Sequence, residues 1–179
     1  MSLLLATLIT GLVLMLVGLP LVMNVPAWNA VIKAFPRSRR AAYVLFTLGA
    51  AWFLYAIWNL SAADFGEFRV YLFIAFAAIA GLSFKCVPDF LAVRGLCTVI
   101  LMGAMPLLTA AYMEYDKPQR LLMVSIVYLA IGFAIWLGAQ PWRMRDFLAW
   151  LFARPQRTQI FGGFLAGYGL LLAILAFTY

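Results

Sequence analysis

Histidine is absent from this chain of 179 residues, and acids are scarce, with six Asp and Glu against thirteen Lys and Arg. Without histidine, the commonest zinc and haem ligand and the commonest proton relay are gone. Only Cys86 and Cys97 carry sulfhydryls. On one helix, eleven residues rise roughly 16 Å, whereas a disulfide needs Cα atoms within about 7 Å. An internal disulfide is therefore not expected, and no redox compartment follows. The chain also lacks a nucleophile beside a base, a metal-ligand cluster and a phosphate-binding glycine loop. No catalytic residue, metal or cofactor is assigned, and the expectation is a protein that is not an enzyme.

Charge of either sign is scarce too. Charged residues make up 11% of the chain and hydrophobic ones 67%, whereas a soluble domain carries about 25% charged residues. A soluble fold of this size has too much surface to hide so many apolar side chains. Lipid removes the difficulty, with about 20 apolar residues per span as the expected unit. The fold class expected is all-α: a polytopic integral membrane protein in one transmembrane domain, 1–179. The apolar runs predict six spans, near 2–23, 41–60, 68–84, 90–113, 121–140 and 159–179. The first has no basic n-region and no cleavage site before Asn24, unlike a signal peptide.

The net charge of +7 does not point to nucleic acid, because the basic residues sit between apolar spans. Loops one, three and five hold Lys33, Arg37, Arg39 and Arg40, then Lys85 and Arg94, then Arg143, Arg145, Arg154 and Arg157. Loops two and four hold only Arg69, Lys117 and Arg120, along with Asp64, Glu67, Glu114 and Asp116. The positive-inside rule then puts three connections in the cytoplasm and both termini outside. Compact loops and small size suggest a bacterial plasma membrane, with anionic lipids as partners.

Two of the basic connections predict short amphipathic helices. After Asn24, Pro26 suits a first helical position, and Trp28, Val31, Ile32 and Phe35 recur at i, i+3, i+4, i+7. After Pro141, Met144, Phe147, Leu148 and Leu151 repeat that spacing, flanked by Trp142 and Trp150. Both segments are expected to lie in the cytoplasmic headgroup layer. Trp28, Lys33, Arg37, Arg39, Arg40, Trp142, Arg143, Arg145, Trp150, Arg154 and Arg157 form the expected lipid contact. The alternative is packing on the protein's own cytoplasmic face. The outer thirds, 1–60 and 121–179, share an order: span, Pro and Trp, stripe, Pro with Arg, small-residue span. This suggests a parallel repeat around a central hairpin, 68–113. Any cytoplasmic turn that favours Pro and Arg would imitate it.

Further candidates are single features. Arg94 is the only charge expected inside a span, about 9 Å deep if its helix starts near Pro88. It either snorkels or contacts an anion beside Asp89. Gly163 and Gly167 form a small-xxx-small pair, near Gly162, Ala166 and Gly169, that suits close helix contact within the chain or with another protein. Asp64, Glu67, Glu114 and Asp116 read as solvated loop charge, with a shared cation as the sharper alternative. Trp52, Tyr55 and Trp58 read as aromatic belt. Three functions follow as expectations. The first is a non-catalytic membrane subunit or scaffold, bound to other subunits or to itself. The others are a small oligomeric transporter or channel, and a lipid-binding protein.

Overall fold

The computed structural model describes residues 1–179, apart from the side chain of Ala62. Helices hold 83% of the chain, with no strand among the described residues. Away from their ends, the helices close their backbone hydrogen bonds within their own segments, the arrangement that a chain crossing hydrocarbon requires. Six helices are long and apolar enough to cross a membrane. They are α1 (Leu3–Val22), α3 (Arg39–Trp58), α4 (Arg69–Cys86), α5 (Leu91–Ala111), α6 (Arg120–Ala139) and α8 (Pro155–Ala176). Two short helices, α2 (Pro26–Ala34) and α7 (Trp142–Leu151), join α1 to α3 and α6 to α8.

Local chemistry sets the ends. Ser2 and Ser38 accept from the amides of Leu5 and Ala41, capping α1 and α3. Pro26 and Pro155 occupy first helical positions, where a missing N–H costs nothing. Pro36 ends α2, and Phe35–Arg37 forms a 3-10 turn instead. Pro20 and Pro106 lie inside α1 and α5. Thr10, Ser83, Thr98 and Thr109 donate to the carbonyl four residues back, so none of these four hydroxyls is left unbonded.

The observed spans begin and end within a few residues of those expected, with one larger difference. Helix α8 starts at Pro155, four residues early, through Gln156, Arg157, Thr158 and Gln159. The reason lies in α7. Arg157 Nη1 donates to the carbonyl of Trp150 at 3.1 Å, and buried Thr158 Oγ1 donates to that of Leu151 at 3.1 Å. The Leu151 carbonyl, which α7 leaves open at its end, and that of Trp150, which also accepts from the Ala153 amide at 3.4 Å, are both engaged by the first turn of α8. That corner makes the polar segment helical.

Helix α5 is central, with α3 on one side and α6 and α1 on the other. Helix α4 rests on the outer side of α3 and buries no residue. Helices α1 and α8 form the tightest pair, antiparallel, with Gly11 against Gly169 and Gly18 against Gly162. A β-carbon on Gly11 would stand 2.7 Å from the Gly169 carbonyl oxygen, and one on Gly18 would stand 2.6 Å from the Ala166 nitrogen. These are backbone contacts, which require glycine on both sides. Leu3, Ala6, Ala104, Ala111, Met123, Val127 and Leu172 form the core shared by α1, α5, α6 and α8.

Both termini lie at one end of the bundle, opposite the connections that hold α2, α7 and the α4–α5 turn. The latter end carries ten basic side chains with Asp89 and Asp146, a net charge of +8. The terminal end carries three basic and four acidic side chains, a net charge of −1. The bundle is a strong charge dipole along its axis.

Candidate membrane-interface site

The basic end is built on helix stops. Pro36 and Pro141 break the chain, and the short helices fold across the bundle's end. The α7 stripe packs largely on the protein's own end, and the α2 stripe is half-buried there. On α7, Leu148 and Leu151 are buried and Met144 packs beside Val93, Cys97 and Ala134. On α2, Trp28, Ile32 and Phe35 are half-buried, and only Val31 is open, at 63%. Phe147 of the α7 stripe stays 39% exposed, and α2 buries no residue fully, so the cover over the end of the α5–α6 core comes chiefly from Met144, Leu148 and Leu151.

What remains outward is a rim of rings and cations. Trp142 and Trp150 are about half exposed. Arg157 lies over the Trp150 ring at 4.7 Å, Arg143 over Trp136 at 5.3 Å, Lys33 over Phe152 at 5.0 Å and Arg37 over Phe90 at 5.8 Å. Such cation–π pairs hold basic groups at the edge of an apolar layer. Arg143 also donates to Gln140, and Arg145 is paired with Asp146 at 2.8 Å. Arg154 is exposed. Arg37, Arg39 and Arg40 have neither hydrogen bond nor ion pair among the described residues. Trp28 turns its indole Nε1 inward without a partner, so it is not an exposed anchor.

Arg94 stands only three residues into α5, about 4.5 Å, because the helix begins at Leu91 rather than near Pro88. It is half-buried and its Nε has no partner. Asp89 is exposed and forms no ion pair with it among the described residues. The depth expected for Arg94 is thus corrected, because the αL backbone of Phe90 (φ 57°) delays the helix start.

Gly163 and Gly167 are exposed, with nothing near their absent β-carbons. The internal contact is instead made by Gly162, Ala166 and Gly169, the face one residue round the helix. The partners on α1, Gly11 and Gly18, lie seven apart, and the buried Thr7 four residues before Gly11 completes a small-xxx-small pair that sequence reasoning missed. Thr158 was also missed, since a polar residue before a span reads as loop.

At the terminal end the four acids do not converge into a cation site among the described residues. Glu114 pairs with Lys117 at 3.1 Å, and Asp64 accepts from Ser61 at 2.8 Å. Arg120 donates to the last carbonyl of α5, Ala111, and lies over Tyr115 at 4.7 Å. Trp58 takes Arg69 on its face and Phe73 edge-on. No protein-family model, curated protein or solved structure matches this chain.

Proposed function

We propose that this chain is a non-catalytic integral membrane subunit or scaffold, assembled with other membrane subunits or with itself. Its basic end faces the cytoplasm of a bacterial plasma membrane, and both termini face outward. The net charge of +8 against −1 at the two ends supports that orientation through the positive-inside rule. Helices α2 and α7 sit at headgroup level, and the indole and guanidinium rim supports anionic lipid contact.

One observation carries the assembly reading. Helix α8 has two small-residue faces. One is filled by α1, through Gly162, Ala166 and Gly169. The other is open: Ile160, Gly163, Phe164, Gly167, Leu171 and Ile174 follow helical spacing, and each is exposed. Knobs of Ile, Phe and Leu beside two glycines give a second helix a surface to interlock with.

The test is the mass of the particle extracted in gentle detergent. Wild type is expected as an assembly larger than one chain. The Gly163→Leu, Gly167→Leu double variant is expected to fold normally, since both sites are open, and to run smaller. A wild-type particle of a single chain, or an unchanged assembly in the variant, overturns the reading of this face.

A further inference from the structure

We propose that the cleft at the start of α3 seats the phosphate of an anionic phospholipid, with an acyl chain along the α3–α4 seam. This rests on the reading of the basic end as an anionic-lipid contact, and not on the subunit reading. The cleft has a volume of about 260 Å³ and lies between the Phe35–Arg37 turn, the start of α3, the end of α4 and the start of α5. Its rim holds Arg37, Ser38 and Arg39, and no acidic side chain lines it. Its floor is apolar: Ala42, Leu91 and Ala92 are all buried.

Three physical facts point to a phosphate ester. First, four of the ten arginines spend donors within the protein, and Arg37 and Arg39 are among the six that show no hydrogen bond among the described residues. Arg120 and Arg157 bond the last carbonyls of neighbouring helices, Arg143 bonds Gln140, and Arg145 bonds Asp146. Arg37 and Arg39 keep their guanidinium donors for a ligand, and a guanidinium fork matches phosphate oxygens. Second, Arg39 and Arg40 occupy the first turn of α3, with no acid there. Cations at that end oppose the helix dipole, and an anion between them and the helix offsets both. Third, a separate apolar groove lies further along α3, with three packed rings between it and the cleft. Tyr43 stacks on Phe84 at 5.2 Å, and Phe46 meets Phe84 edge-on at 5.3 Å. Beyond Phe46, that groove, nearly wholly apolar and about 150 Å³ in volume, runs between α3, α4 and α5, past Ala50, Leu54 and Ile79. Ala50 is eight residues, about 12 Å, below Ala42 along α3. A cationic mouth in line with an apolar groove has the charge and shape of a phospholipid. A free phosphate would use only the mouth.

Native mass spectrometry of the full chain in neutral detergent tests this, with phosphatidylglycerol, phosphatidylcholine of equal chain length, and glycerol phosphate as probes. One phosphatidylglycerol per chain is expected, held about tenfold more tightly than phosphatidylcholine. The Arg37→Gln, Arg39→Gln variant is expected to lose about tenfold or more, as when charge-assisted hydrogen bonds are removed. An Arg69→Gln, Lys117→Gln variant, which removes the same charge at the terminal end, is expected to change retention less than about twofold. Ala50→Trp fills the groove and is expected to weaken lipid retention while sparing glycerol phosphate. Equal retention of both lipids, or equal loss in both double charge variants, overturns the site. Full competition by glycerol phosphate, or no effect of Ala50→Trp, overturns the lipid in favour of a soluble phosphate. If the double variant does not fold, Arg39→Gln alone decides, and unchanged retention there overturns the proposal.

Discussion

Gly18 has backbone on two sides, and the Leu165 β-carbon on a third, where a side chain would go. The nearest atoms to its absent β-carbon are the Ala166 nitrogen at 2.6 Å and the Gly162 oxygen at 2.8 Å, and neither moves without moving a helix. Gly18→Ala is therefore expected to push α1 from α8 and cost about 1–3 kcal/mol, the usual range for overpacking. Gly163 and Gly167 have open space, so alanine at either is expected to be neutral or to stabilise by up to about 1 kcal/mol through helix propensity. Thermal unfolding in detergent separates the two sets, and equal effects would sink the face assignment. The terminal end offers a second residue-scale case. Met113 is exposed and holds φ 66° just after α5, a left-handed conformation that a β-carbon disfavours. Met113→Gly is expected to raise the unfolding midpoint slightly. A lowered midpoint would mean that the side chain contributes more than the backbone strain costs.

At the scale of elements, the α7–α8 corner fixes the cover over the basic end. Thr158 is 1% exposed, and its hydroxyl bonds the Leu151 carbonyl. Thr158→Val keeps the volume and leaves that carbonyl unpaired in an apolar setting, an expected loss of about 1–3 kcal/mol. Hydrogen exchange is expected to speed up in α7 before it does in α5. Uniform acceleration along the chain would show that α7 is no separate unit. Sequence periodicity predicted α2 and α7 themselves, because Pro26 and Pro141 and the i, i+3, i+4, i+7 spacing are local signals. Which side the stripes face was not legible. Lipid and a protein core reward the same apolar residues, and only the fold shows Met144 of α7 packed on the α5–α6 core while Val31 and Phe147 stay exposed.

The whole molecule is polarised, and that polarity gives a topology test with native probes. Cys86 is exposed at the basic end, and Cys97 is buried in α5. A membrane-impermeant maleimide is expected to label Cys86 in inverted vesicles and not in intact cells. Cys97 is expected to stay unlabelled until the fold is lost. A Thr178→Cys, Cys86→Ser variant is expected to give the opposite pattern, since residue 178 lies at the terminal end. Labelling of Cys86 from intact cells would reverse the proposed orientation. The outer thirds repeat the element order of long, short and long helix, yet they pair unequally. Helix α1 lies on α8, whereas α3 and α6 are parted by α5.

The sequence by itself determined the number and type of helices, their lengths and the end that carries the charge. Those follow from apolar run length, proline placement and the spacing of Lys and Arg, all of which act over a few neighbouring residues. Only the tertiary structure decided which glycines touch, which way the stripes turn, and which arginines keep their donors free. Gly162 and Gly163 are adjacent in sequence, but one residue turns a helix face by about 100°. One therefore lies against α1 while the other lies open. Arg37 and Arg157 look alike in the chain. The carbonyls at the end of α7 engage Arg157, whereas the cleft before α3 leaves Arg37 free.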